Sequence, residues 1–197
     1  MHNRDFVIAP QSAFTDLGDI DAGDRAVGVQ DFDGVGLANV QVHNGREQQL
    51  AERINARFNV ALPRGPRYTN GGRLALAGIG PGSWLAIAPE RANELPRLLE
   101  SEISGLASVS DQSDGLAVLR LTGAPIRKVL TQFVAVDIHA RAFAVGDVAV
   151  TTVAYVGVTF WRLSDSREGF PVFEFAVPRS FASSFTRLLM KAIRGKA

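Results

Sequence analysis

The sequence predicts an α+β fold of two related halves, and three observations carry that reading. Residues 35–112 run strand, helix, strand, strand, helix, strand, the β-α-β-β-α-β order of a ferredoxin-like unit. Residues 113–197 again mix Val- and aromatic-rich strands with helical stretches and close on an amphipathic helix. Residues 1–34 sustain neither a helical nor a strand period and read as an N-terminal arm.

The arm is acidic. Asp5, Asp16, Asp19, Asp21, Asp24, Asp31 and Asp33 stand against Arg4 and Arg25, a net charge of −5. Phe6, Val7, Ile8, Phe14, Leu17 and Ile20 are spaced like anchors on an extended segment. Two readings stand: a solvated terminus, or an arm that lies on a partner chain.

In the first half, Gly36 to His43 alternates. Leu37, Asn39, Gln41 and His43 share one face, and Ala38, Val40 and Val42 the other. Asn44-Gly45 breaks the strand, and Leu50, Ile54 and Phe58 predict a helix over 47–59. Pro63, Gly65 and Pro66 end that stretch. Arg73–Ile79 and Trp84–Ala88 are apolar runs joined by a Gly-Pro-Gly-Ser turn, a predicted hairpin. A helical stretch from Pro89 to about Ser104 carries Ala92, Leu95, Leu99 and Ile103 on one face, and Pro96 predicts a kink or a start at Leu95. Leu106–Gln112 is a short strand.

In the second half, Gly115–Leu121 predicts a strand. Thr122 is the expected N-cap of a short helix with Pro125 in its first turn and Ile126, Val129 and Leu130 inward. Val134–Gly146 reads as an ordered loop. Asp147–Val156 and Val158–Leu163 predict strands hinged at Gly157, and Pro171–Val177 a third. Ser180 is the expected cap of the last helix, striped by Phe181, Phe185, Leu188, Leu189 and Ala192. Residues 178–197 hold five cations and no acid. They either complement the helix dipole or form a dock for an acidic partner.

Composition narrows the chemistry. With Lys plus Arg at 21 and Asp plus Glu at 20, the net charge of +1 argues against nucleic acid or an anionic membrane as partner. The 18 Arg and 3 Lys are scattered rather than clustered with aromatics. The chain has no cysteine, which excludes disulfides, thiolate metal sites and cysteine nucleophiles. Only His2, His43 and His139 are present, so no histidine-rich metal centre is expected. The N-terminus lacks the pattern of a signal peptide, and no apolar run is long enough to span a bilayer, so a soluble cytoplasmic protein is expected.

Candidate sites are sparse. Gly78-Ile79-Gly80-Pro81-Gly82 has the look of a phosphate loop, but a strand follows it and Pro81 offers no N–H. A hairpin turn accounts for it better. Asp137-Ile138-His139 is the one carboxylate–histidine pair close in sequence, available either for acid–base work or for fixing the loop together with Arg141. His43 is expected as a satisfied residue at a strand end. Trp84, Trp161 and Tyr155 are expected in the core or at an interface, with Trp161 the partner-contact candidate because it leaves the side on which Phe160 packs. No catalytic, cofactor-binding or metal residue is assigned.

Five blocks taken together carry a resemblance. They are G-x-x-x-W-L-x-x-x-P (Gly80–Pro89), L-T-G-x-P-x-R-x-V-L (Leu121–Leu130), D-I-H-x-R-x-F-x-x-G (Asp137–Gly146), a Val-rich strand pair, and V-P-R-S-F (Val177–Phe181). Over residues 73–190 the chain resembles the gamma subunit of heterotetrameric sarcosine oxidase, within the wider aminomethyltransferase-like, folate-binding superfamily. The family's loop usually reads Asp-Leu-His-Pro with further prolines. Here Ile138, Ala140 and Ala144 depart from that, which predicts a more mobile loop.

The resemblance implies the aminomethyltransferase-like fold. It also implies a part in the oxidative demethylation of sarcosine to glycine, with hydrogen peroxide and with formaldehyde or methylene-tetrahydrofolate as products. It implies alpha, beta and delta partner subunits, with FAD, FMN, NAD and zinc in the partners and no cofactor in this chain. The alternative expectation is a stand-alone folate or pterin module. That module needs a carboxylate in an aromatic pocket, and Asp137 and Glu174 are the residues named for it. A hydrolase or transferase built on Asp137 and His139 is the third reading.

Overall fold

The computed structural model describes residues 12–14, 27–32, 34–89 and 94–195. The expectations about most of the arm, about Pro89-Glu90 opening a helix, about Ala92 and about Lys196 fall wholly or partly outside the described residues. The strands are β1 (Gly28–Phe32), β2 (Gly36–Val42), β3 (Tyr68–Asn70), β4 (Ala75–Gly80), β5 (Ser83–Ala88), β6 (Ala107–Asp111), β7 (Leu116–Thr122), β8 (Val148–Val153), β9 (Val156–Leu163) and β10 (Val172–Pro178). The helices are α1 (Glu47–Phe58), α2 (Leu95–Glu102), α3 (Ile126–Leu130) and α4 (Ala182–Arg194).

The strands form two five-stranded antiparallel sheets. One runs β3-β4-β5-β2-β6 and the other β1-β7-β10-β9-β8. The outer face of the first sheet is covered by α1 and α2, where Leu50, Ile54, Leu95 and Leu99 pack on Ala38, Val40, Leu76 and Ala86. The outer face of the second is covered by α3 and α4, where Ile126, Leu130, Phe185 and Leu189 pack on Leu119, Phe160, Phe173 and Phe175. The inner faces meet. Leu37, Ala75, Ala77, Leu85 and Ile87 lie against Val118, Val148, Trp161 and Ala176. The molecule is a four-layer α/β/β/α sandwich. Strands buried on both faces are the reason several runs are nearly continuous in apolar residues rather than alternating.

The two sheets share one topology. In the first, β2-α1-β4-β5-α2-β6 is laid out with neighbours β4-β5-β2-β6, and β3 extends the edge. In the second, β7-α3-β9-β10-α4 is laid out with neighbours β9-β10-β7-β1, and β8 extends the edge. The place that β6 fills in the first unit is filled in the second by β1, from the opposite end of the chain. Residues 28–32, which the sequence assigns to the arm, are therefore a structural strand of the second half. Five residues with Gly and Asp among them show no readable period, and a short, charged strand is what an exposed sheet edge favours.

Three local expectations are corrected. Thr122 does not cap α3: it is the last residue of β7, and Pro125 stands at the N-cap with no side-chain cap bond. Ser180 does not cap the last helix either, since it lies in a 3-10 turn over Arg179–Phe181 that leads into α4. The hinge between β8 and β9 is not Gly157, which lies inside β9. Val153 pairs with Val156, so Ala154 and Tyr155 form a two-residue turn, at φ of +48° and +66°. Positive φ at both positions suits the right-handed twist of the hairpin but is costly for residues with a Cβ. Replacing Ala154 by Asn and Tyr155 by Gly is expected to raise stability by about 1 kcal/mol net, relief of strain less the added freedom of the unfolded Gly. Urea unfolding midpoints measure it.

Candidate functional site

The inner face of the second sheet holds a polar cluster. Register sets Arg120 of β7 opposite Glu174 of β10, and Glu174 opposite Trp161 of β9. Glu174 Oε1 accepts hydrogen bonds from Arg120 Nε at 2.9 Å and Nη2 at 2.5 Å. Its Oε2 accepts one from Trp161 Nε1 at 2.8 Å. The Arg120 guanidinium lies 4.7 Å from the centroid of Phe32 in β1. Tyr68 of β3 stacks on Trp161 with centroids 5.7 Å apart and planes 7° from parallel. Burial, with the Glu174 carboxylate nearby, pushes the Tyr68 phenol above its ordinary range, against the opposing pull of Arg120. It therefore stays protonated and a donor.

Trp161 is fully buried between the sheets, the core place among the two expected for it, and so is not the partner contact for which it is a candidate. It does leave the side on which Phe160 packs, but the first sheet covers it. Tyr155 is fully exposed at the strained turn, while Trp84 is buried with Nε1 donating to the Pro63 carbonyl at 2.9 Å. Glu174, named as a grip for a pterin, already accepts at both oxygens from the protein's own side chains.

The Asp137–His139 pair serves its loop. Asp137 and His139 flank the buried Ile138 and are both exposed. Asp137 Oδ1 accepts from the His139 backbone N–H at 2.9 Å, and His139 Nδ1 accepts from the Arg141 N–H at 3.3 Å. Arg127 donates to the Ile138 carbonyl. The two side chains thus bond to backbone rather than to each other. His43 bonds Gly105 O at 3.3 Å and Ser108 Oγ at 3.0 Å, a satisfied residue just past β2.

The glycine-rich stretch 78–82 is the hairpin between β4 and β5. A Cβ at Gly78 would lie 2.0 Å from the Gly65 carbonyl oxygen, and one at Gly82 (φ +64°) would lie 2.8 Å from Val42 Cγ1. Backbone approach, not phosphate, calls for these glycines. Beside this hairpin runs a largely apolar groove of about 940 Å³, bounded by α1, residues 62–66, Ile79, Trp84 and the exposed Val150. Lys191 and Arg194 occupy the last turn of α4, where cations complement the carbonyl end. Among the described residues, no group of three or more His, Cys, Asp or Glu could hold a metal ion, and no helix is long and apolar enough to cross a membrane.

A model of the sarcosine oxidase, gamma subunit family matches residues 45–194. Sarcosine oxidase subunit gamma of Corynebacterium sp. (strain P-1) is 35% identical over 91 residues, 46% of this chain and 45% of that protein. The subunit gamma of Arthrobacter sp. is 31% identical over 112 residues, 57% of this chain and 52% of that protein. The chain thus spans about half the length of these curated relatives. Among solved structures, a chain of the heterotetrameric sarcosine oxidase from Corynebacterium sp. U-96, in complex with pyrrole 2-carboxylate, superposes with a TM-score of 0.78 at 23% identity. That match covers 94% of this chain and 95% of that one. The glycine cleavage system aminomethyltransferase T from Bartonella henselae superposes at 0.57 with 16% identity, over 84% of this chain and 46% of that one. At these identities the two structures speak for the fold, the α+β aminomethyltransferase-like arrangement that the sequence predicts.

Proposed function

The chain belongs to the sarcosine oxidase, gamma subunit family, and we propose that it acts as the non-catalytic gamma subunit of a heterotetrameric sarcosine oxidase. In this reading it supports the oxidative demethylation of sarcosine to glycine in the cytoplasm. The products are hydrogen peroxide and either formaldehyde or methylene-tetrahydrofolate, a step of sarcosine catabolism and one-carbon metabolism. Its partners are the alpha, beta and delta subunits, which carry FAD, FMN, NAD and zinc.

The observation that carries the proposal is the family match over residues 45–194, which includes the Asp137–Gly146 loop and the Val177–Phe181 helix start. The engagement of Glu174, Asp137 and His139 in internal hydrogen bonds supports the non-catalytic part of it. The apolar groove beside α1 and the exposed Val150 and Tyr155 supply surface of the kind subunit association uses.

Tagged chain purified from its native host tests the proposal. Larger flavin-bearing chains in fixed ratio, with peroxide production that depends on sarcosine, are expected. Recovery of the chain alone and colourless overturns the subunit reading in favour of the pterin-binding module.

A further inference from the structure

Given the subunit reading above, we propose that the open edge of β8 receives an extended segment of a partner subunit, which adds to the second sheet as a further strand and seats its apolar side chains in the groove beside α1. The ladder shows which backbone groups are free. Arg162 N–H donates to the Asp147 carbonyl at 3.0 Å, so these two residues form a hydrogen-bonded pair. Bonded and non-bonded pairs alternate along an antiparallel ladder. With Val148 opposite Trp161 and Val153 opposite Val156, residues 149, 151 and 153 bond to β9, while Val148, Val150 and Thr152 turn their N–H and C=O groups outward. Val148 N–H accordingly donates across the edge to the Pro66 carbonyl at 2.9 Å. The outward N–H and C=O groups of Val150 and Thr152 have no partner among the described residues.

Sheet edges left to water are short, charged, or broken by a proline or a bulge, because an open row of donors and acceptors invites pairing. The other edges of the two sheets follow that rule. β3 has three residues, β1 carries Asp31 and β6 ends on Asp111. β8 does not follow it. It is six residues long and keeps a regular register, and no charge or proline occurs from Val148 to Trp161. Its surroundings are apolar as well. Among the described residues, the large apolar side chains left exposed are Val145, Val150 and Tyr155, and all three lie on β8 or at its two ends. Val150, 57% exposed, shares a face with the buried Val148 and opens into the groove, where Ile79 continues the apolar lining. Free backbone groups beside a groove that can take alternate side chains are the two requirements of β-strand addition. Charge selects among strands. Glu47 and Glu52 line the groove against Arg64 alone, so the segment that fits is apolar in alternation and carries a Lys or Arg, not an acid, where it passes α1.

Val150→Cys puts a single thiol on this edge, since the chain has no cysteine of its own. Its alkylation by iodoacetamide is timed in the full chain alone and in the assembly purified from the native host. Alkylation slowed about tenfold or more in the assembly is expected, as for a site opened only by local dissociation. A benzophenone maleimide on the same thiol is expected to cross-link to an alternately apolar segment of another subunit. Thr152→Pro removes an outward donor and no bond to β9, so the fold is kept. Labelled chain with this change is expected to leave the assembly about tenfold faster, through loss of one hydrogen bond at the added strand. Equal alkylation in both states, unchanged departure of Thr152→Pro, or cross-linking to a second copy of this chain overturns the proposal and leaves the subunit reading standing. Recovery of the wild-type chain without partners overturns both.

Discussion

Glu174→Ala is expected to cost about 3 kcal/mol of stability. Glu174 is 7% exposed and accepts from both Arg120 and Trp161. Removing it leaves a buried indole N–H without an acceptor and a guanidinium without its counter-charge. The cost sits at the low end of the range for a broken buried pair, because the Arg120 side chain is 36% exposed and can turn toward water. Glu174→Gln, which keeps an acceptor for Trp161 and loses only the charge, is expected to cost less than half as much. The double variant Glu174→Met, Arg120→Leu is expected to recover most of the loss, since apolar replacement of a whole buried pair is often neutral. Urea unfolding decides it. A loss below about 1 kcal/mol for the alanine variant would show the pair to be a bystander to sheet packing.

Deletion of residues 1–34 is expected to abolish cooperative folding of the second unit. It removes β1, the five residues that pair with Gly28↔Thr122 through Phe32↔Val118 along β7. It also removes Phe14 and Val27, both buried in the core under α3 and α4, and Phe32 beneath Arg120. Burial of a large apolar side chain is worth roughly 1.5–3 kcal/mol each, and the ladder of β7 would be left open. The sum exceeds about 5 kcal/mol, comparable with the whole stability of a domain of this size. Hydrogen exchange should then show β7, β10 and β9 unprotected while β2, β5 and β4 remain protected. Uniform protection in the truncated chain would return residues 28–32 to the status of a dispensable arm.

Strong local periods were legible from residue order alone. The face of α1 set by Leu50 and Ile54 and the stripe of Phe185, Leu189 and Ala192 on α4 follow from 3.6-residue spacing, and the start of α2 at Leu95 is one of the two outcomes that Pro96 predicts. The Gly78–Gly82 hairpin was legible because a strand follows it. The caps at Thr122 and Ser180 misled because a hydroxyl near a helix start is a statistical preference, and strand pairing or a 3-10 turn overrode it here. The turn at Ala154-Tyr155 carries none of the residues that positive φ favours, so no signal marked it.

By itself, the sequence determined the α+β class, the plan of the first unit, the absence of cysteine chemistry and the motif blocks that mark the gamma subunit family. Those properties live in composition and in spacings of a few residues, where each side chain's neighbours along the chain suffice. Tertiary structure alone decided that β1 completes the second unit from the far end of the chain. It also decided that Trp161 is core rather than surface. The physical reason is the same in each case. Sheet pairing and face-to-face packing bring together residues 28 and 122, and 68 and 161, and no local period encodes a contact across such separations.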